Sequence, residues 1–168
     1  SRITVFNGGV GGDVAEQIYR RLDGDLLPKK PTELVINFGM NDSKYFEYID
    51  PKKPMTEDHR KQIVAESYKS YLKIQDKLKK LPEIQKIIMA PSPYDETVKQ
   101  PGSLFKGKAK TMEEIVAFQK KAAIEQNWGF VDLFHPMTVI NEREQKKDTA
   151  YTSTGPDRIH PGSAGHLI

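Results

Sequence analysis

The sequence predicts an α/β fold, a parallel sheet held between two helical layers in a three-layer α/β/α sandwich, and two observations carry that prediction. Short apolar runs rich in branched residues alternate with longer segments of helical spacing. The runs themselves are nearly continuous in apolar side chains, as strands buried on both faces require. A chain of 168 residues, 37% of them hydrophobic and 29% charged, is long enough for one domain with a substantial core and too short for two. Residues 1–168 are therefore read as a single domain.

In order, residues 3–6 form the first expected strand, which gives way to Asn7-Gly8-Gly9-Val10-Gly11-Gly12-Asp13 and a helix over 14–22. The strand 34–38 ends in Gly39-Met40-Asn41-Asp42, and a loop over 43–55 carries Tyr45, Phe46 and Tyr48. A long helix over 57–81 follows, with Ile63, Val64, Tyr68, Tyr71, Leu72, Gln75 and Leu78 on one stripe and lysines opposite, as a helix covering a sheet requires. After a strand over 87–90, a loop over 92–110 carries Pro93, Tyr94, Pro101 and Gly102. Thr111 and Glu114 read as a capping box that opens a helix over 112–127, and the last strand spans 130–134. Trp128 and Phe130 are assigned to the core beside that strand, and residues 163–168 to the first turn of a closing helix. Both long loops follow strands, so both should overhang the carboxyl edge of the sheet, where open α/β sheets place their sites.

Composition removes several classes of function. The formal charge is +3, from 26 basic and 23 acidic residues, and the lysines lie on solvated helix faces such as 69–80 without clustered arginines and aromatics, so no nucleic-acid partner is expected. No apolar run approaches the roughly 20 residues that span a bilayer, so no membrane insertion is expected. With no cysteine, disulfides, thiol nucleophiles and thiolate metal sites are excluded. The compartment stays open, and an upstream export signal would make the protein secreted or periplasmic.

Three groups of residues carry chemistry. The glycine-rich 7–13 segment lets the backbone approach a ligand at a helix start, but a dinucleotide fingerprint from Gly9 needs glycine where Val14 stands, and no Gly-Lys-Ser/Thr follows. Asn41 stands where a strand ends, and its side-chain amide can donate to an oxygen that becomes negative in a transition state; one such donor contributes about 3 to 4 kcal/mol. By itself the Asn41-Asp42 pair is also ordinary turn chemistry. Asp157-Arg158-Ile159-His160-Pro161-Gly162 places an acid three residues before an imidazole, the pairing that activates a hydroxyl nucleophile, although a surface turn has the same composition.

Together, a segment ending in Gly-Gly-Asp, a strand ending in Gly-x-Asn-Asp and a late Asp-x-x-His-Pro resemble the SGNH hydrolases, also called GDSL-type esterases and lipases. The resemblance covers almost the whole chain and implies a parallel, flavodoxin-like sheet. It implies that Gly12 offers its backbone amide and Asn41 its side-chain amide to the oxyanion. It makes His160 the general base and Asp157 its partner. It requires no metal and no organic cofactor.

The family's nucleophile block, Gly-Asp-Ser on the first strand, is absent from this sequence. Ser1 precedes the wrong strand, and Ser43 follows directly on the oxyanion block. In the sheet that the resemblance implies, the missing strand lies between residues 3–6 and 34–38; its removal would leave a gap of roughly 9 to 10 Å, two strand spacings, with unpaired backbone groups. The chain is thus expected to be the central portion of a longer polypeptide, without its first strand and the end of its last helix. The strand and its serine would come from that polypeptide or from another chain.

The expected activity is hydrolysis of a carboxylic ester, a short acyl group on a polar or carbohydrate carrier. Tyr45, Tyr94 and Arg158 are the expected substrate contacts, with Arg158 alternatively a surface ion pair. The alternative is a non-catalytic glycan-binding module of the same fold. A zinc site at Asp157, His160 and His166 matches no known ligand spacing. His59 and His135 are assigned no role.

Overall fold

The computed structural model describes residues 2–50 and 52–168. Three parallel strands, β1 (Glu33–Asn37), β2 (Gln85–Met89) and β3 (Gly129–Val131), lie in that order, with Val35 opposite Ile87 and Ile87 opposite Gly129. They alternate with α1 (Ala15–Arg21), α2 (Glu57–Leu78) and α3 (Lys108–Gln126), and α4 (Phe134–Gln145) follows β3.

One row of strand side chains explains how the helices sit. Ile36, Ile88 and Phe130 are in register and face Tyr71, Ile74 and Leu78 of α2, Ala122 and Ala123 of α3, and Ala15 of α1. Trp128 packs on the same core, as its position in the sequence suggests. The opposite row keeps Val35 46% and Val131 37% exposed among the described residues. The helices α1, α2 and α3 are therefore one layer over one face of the sheet. No helix is long and apolar enough to cross a membrane among the described residues.

Four sequence expectations need correction. Residues 3–6 form no strand: they pair with no strand among the described residues, and Ile3 and Val5 are 87% and 84% exposed. Apolar residues become a strand only when a neighbour takes their backbone bonds, and among the described residues β1 pairs only with β2. The capping box at Thr111 is not used, because α3 begins three residues earlier; Glu96, from the preceding loop, accepts the Gly107 and Ala109 amides at 2.8 and 3.2 Å. The last strand stops at Val131, and Phe134 opens a helix that the sequence reading omits. Pro136 is tolerated in its first turn, where no intrahelical donor is required, and Asp132 accepts the His135 amide at 3.0 Å. On α2, finally, Ser67 and Ile74 join the buried stripe, Tyr68 is 40% exposed and the helix ends at Leu78.

Candidate active site

The carboxyl end of β1 runs into the turn that carries Asn41. Gly39 adopts φ 120°, and a side chain there would press on Ile115, Pro91 and Gln119, so the chain can reverse tightly against α3 only with glycine. Asp42, 5% exposed, holds the turn from within. Its Oδ2 accepts the Gly39 amide at 3.1 Å, and its Oδ1 accepts the Ala15 amide and the Ser67 hydroxyl, each at 3.1 Å. Burial raises the proton affinity of this carboxyl and the three donors oppose it. One side chain thereby ties β1, α1 and α2 together at the sheet edge.

That tie brings the two expected oxyanion donors to one place. Asn41 Nδ2 donates to the Asp13 carbonyl at 3.1 Å, so the Asn41 amide touches the turn that contains Gly12. The turn is closed by the Asp13 amide on the Val10 carbonyl at 3.2 Å, and Gly12 takes φ 87° within it. Arg21 fixes its far side through Asp13, at 2.6 and 2.9 Å. The Gly12 amide has no hydrogen-bond partner among the described residues, leaving it free to donate.

Asp157 and His160 lie on a second loop, closed by an antiparallel bridge between Thr154 and Pro161 and by the Gly155 amide on the His160 carbonyl at 2.6 Å. Asp157 Oδ1 accepts the Ile159 and His160 amides at 3.0 and 3.1 Å, which turns Oδ2 toward His160 Nδ1 at 2.5 Å. Partial burial works against the carboxylate's charge, but the His160 ring and the two amides outweigh it and hold the Asp157 carboxyl below its ordinary range. An ionised carboxylate there selects the tautomer with the proton on Nδ1, so Nε2 is the basic nitrogen. The His160 side chain is 81% exposed, and its Nε2 meets no hydroxyl among the described residues.

The loop is aimed by two supports remote in sequence. The Ser153 amide donates to Asn141 of α4 at 2.8 Å. Ile159 packs on a small core of Ala90, Tyr94, Met112, Val116 and Phe134, on which Met40 also packs. The Asn41 turn and the Asp157–His160 loop thus rest on the same cluster above the strand ends.

Two expected substrate contacts are corrected. Arg158 is 3% exposed, so it neither meets an anionic substrate nor forms a surface ion pair. Its guanidinium donates to the carbonyls of Asp95, Val98 and Gln100 at 3.2, 2.8 and 3.0 Å, locking the loop after β2 onto the loop that carries Asp157 and His160. Tyr94 is 2% exposed, stacks on Phe105 at 5.8 Å and accepts the Phe105 amide at 2.8 Å, so it organises the same loop from inside. Tyr45 alone of the three is open, at 51% exposure, in edge contact with Phe46 and 6.2 Å from the Phe105 ring.

Ser43 is fully buried and donates to the Met40 carbonyl at 2.6 Å, so it is no nucleophile; Ser1 lies outside the described residues. His166 sits on a 3-10 turn, and no group of three His, Asp or Glu side chains able to hold a metal occurs among the described residues. Two residues of the site have no sequence reading: Asp42 as its brace, and Lys108, buried beneath the Asn41 turn. Lysines at 106, 108 and 110 look like a solvated run, so nothing local marks the middle one.

Known proteins resemble this chain in sequence and in fold. The chain is 28% identical over 166 residues to an acetylxylan esterase of Geobacillus stearothermophilus, covering 99% of this chain and 68% of that one. It is 40% identical to a gut microbial diltiazem-metabolizing enzyme of known structure, at a TM-score of 0.90 over 99% of this chain. It is 26% identical to the solved structure of a catalytic mutant of the Geobacillus stearothermophilus esterase, at a TM-score of 0.62 over 96% of this chain. It spans 37% of the diltiazem-metabolizing enzyme's chain and 66% of that esterase's, and the match to the esterase places it in the three-layer α/β/α class. The sequence model of the GDSL-like Lipase/Acylhydrolase family matches from residue 1 to residue 168, and the chain belongs to that family.

Proposed function

We propose that these residues form the acid-base and oxyanion half of a serine esterase, whose nucleophile stands on a strand outside residues 1–168, in the same polypeptide or another chain. The observation that carries the reading is the His160 ring, oriented by Asp157 at 2.5 Å with its other nitrogen facing solvent. Two further features support a strand beside β1: β1 is an edge strand with Val35 half exposed, and Ile3, Val5 and Phe6 are unpaired. Catalytic mutants of the Geobacillus stearothermophilus esterase replace a serine, an aspartate and a histidine.

In the reaction His160 Nε2 takes the serine proton as the hydroxyl attacks the ester carbonyl, and Asp157 stabilises the imidazolium that results. The Gly12 amide and Asn41 Nδ2 donate to the oxyanion. The imidazolium then protonates the leaving alcohol, and water, activated by the same ring, releases the acid. None of these steps calls for a metal or an organic cofactor.

The substrate we propose is a short acyl ester on a polar or carbohydrate carrier. Esterases of acetylated xylan among the relatives support it, as does Tyr45, an open aromatic face on the loop after Asn41. Hydrolysis of p-nitrophenyl acetate and p-nitrophenyl palmitate by the full-length protein tests this reading. Preference for palmitate defeats the short-acyl claim, and absence of hydrolysis of either ester favours a glycan-binding module.

A further inference from the structure

Lys108 is the first residue of α3 and is 1% exposed. No carboxylate forms an ion pair with it among the described residues, so its ammonium is solvated by other means. Its Nζ donates to the Met40 carbonyl at 2.9 Å and to the Ser43 hydroxyl, and it lies 5.9 Å from the ring centroids of both Tyr48 and Tyr94. Ser43 Oγ donates to the same Met40 carbonyl at 2.6 Å. That carbonyl belongs to the peptide unit that leads into Asn41. Lys108 grips the unit from one side, while Asp42 fixes the turn through the Gly39 amide and Asn41 Nδ2 anchors on Asp13.

We propose that Lys108 is a positioning residue for the oxyanion-stabilising amide of Asn41, acting through the Met40 carbonyl. The proposal rests on the acyl-transfer reading above. A methionine would fill the same space without the cost of burying a charge, and apolar replacements of buried ions are often neutral or stabilising. Packing alone therefore does not account for a lysine here. A charged donor on the Met40 carbonyl does: it resists rotation of the Met40–Asn41 peptide, the motion that would swing the amide away from the reacting oxygen. The Asp42 carboxylate behind the turn acts on the ammonium, and the rings of Tyr48 and Tyr94 stand beside it. Burial draws the Lys108 pKa down to about 8, against the pull of Asp42, which leaves the cation predominant at neutral pH.

The test is a double-mutant cycle in the full-length protein, with Lys108→Met, Asn41→Ala and the double variant assayed on p-nitrophenyl acetate. Lys108→Met should lower kcat by about 10- to 100-fold, with KM within about twofold, because an oxyanion donor acts in the transition state and not in substrate binding. In the Asn41→Ala background the same change should cost less than about threefold, since the residue through which Lys108 acts is gone. The melting temperature should hold or rise. In isotope-labelled protein the Asn41 side-chain amide resonance should shift or broaden on Lys108→Met. Equal losses in both backgrounds, an unchanged kcat, or loss of the fold together with activity would each overturn the proposal. If the wild-type protein hydrolyses no ester, the acyl-transfer reading fails, and the Asn41 resonance decides alone: unchanged in Lys108→Met, it removes the positioning role.

Discussion

Asp157→Asn alters one atom of the site, and the geometry fixes where that atom goes. The Ile159 and His160 amides point at Oδ1 from 3.0 and 3.1 Å, and both are donors, so the asparagine oxygen must stay with them. Its nitrogen then faces His160 Nδ1 across the present 2.5 Å contact. A donor in that position forces Nδ1 to accept and moves the ring proton to Nε2, the nitrogen that takes the serine proton in the proposed reaction. The imidazolium formed in the transition state also loses its counter-charge. The two effects together should lower kcat by about 10³- to 10⁴-fold, or about 4 to 6 kcal/mol of barrier. Stability should hardly respond, because the side chains are 81% and 47% exposed: less than about 0.5 kcal/mol, and about 2 °C at most in melting temperature. Initial rates on p-nitrophenyl acetate and thermal melts of the full-length variant measure both quantities. A kcat within tenfold of wild type refutes the tautomer argument, and a melting temperature lower by more than about 5 °C makes Asp157 a structural residue.

Asp42→Ala leaves the Gly39 and Ala15 amides and the Ser67 hydroxyl without their acceptor in a buried place, so urea unfolding should show a loss of about 3 to 5 kcal/mol; less than about 1 kcal/mol would show that the turn does not depend on it. Lys108 titrates near 10.5 when unfolded and at about 8 in the fold, so between those values the unfolded chain binds more protons and the stability contribution of this residue rises with pH. The wild type should therefore gain on Lys108→Met by about 2 kcal/mol as pH rises from 8 to 10; a difference between the two proteins that stays flat contradicts the burial of a charged lysine. Arg158→Ala should free the carbonyls of residues 95, 98 and 100 and speed tryptic cleavage at Lys99 and Lys106, whereas unchanged cleavage would leave that loop held by other contacts.

Local patterns were enough for the parts whose cause is local. The stripe Ile63, Tyr71, Gln75 and Leu78 repeats with the helix, and the runs ending at Phe38 and Ala90 become strands because each has a neighbour to pair with. Asp157 and His160 are legible because three residues of turn suffice to bring acid and imidazole together. What eluded the sequence depends on distant partners. Residues 3–6 carry a strand's side chains and lack a strand's neighbour. Arg158 and Tyr94 look like surface chemistry until the loop after β2 folds over them, and only that loop, about 60 residues from Arg158, supplies the carbonyls that make its burial tolerable. Glu96 caps α3 from outside the helix, which no capping pattern along the chain reveals.

The central claim is that His160 serves a serine outside residues 1–168, and reaction of the full-length protein with a fluorophosphonate probe, followed by mass spectrometry of the adduct, tests it most directly. The account predicts one labelled serine, outside residues 1–168, whose labelling falls by at least a hundredfold in His160→Ala. No adduct on any serine, or an adduct within residues 1–168, would contradict it.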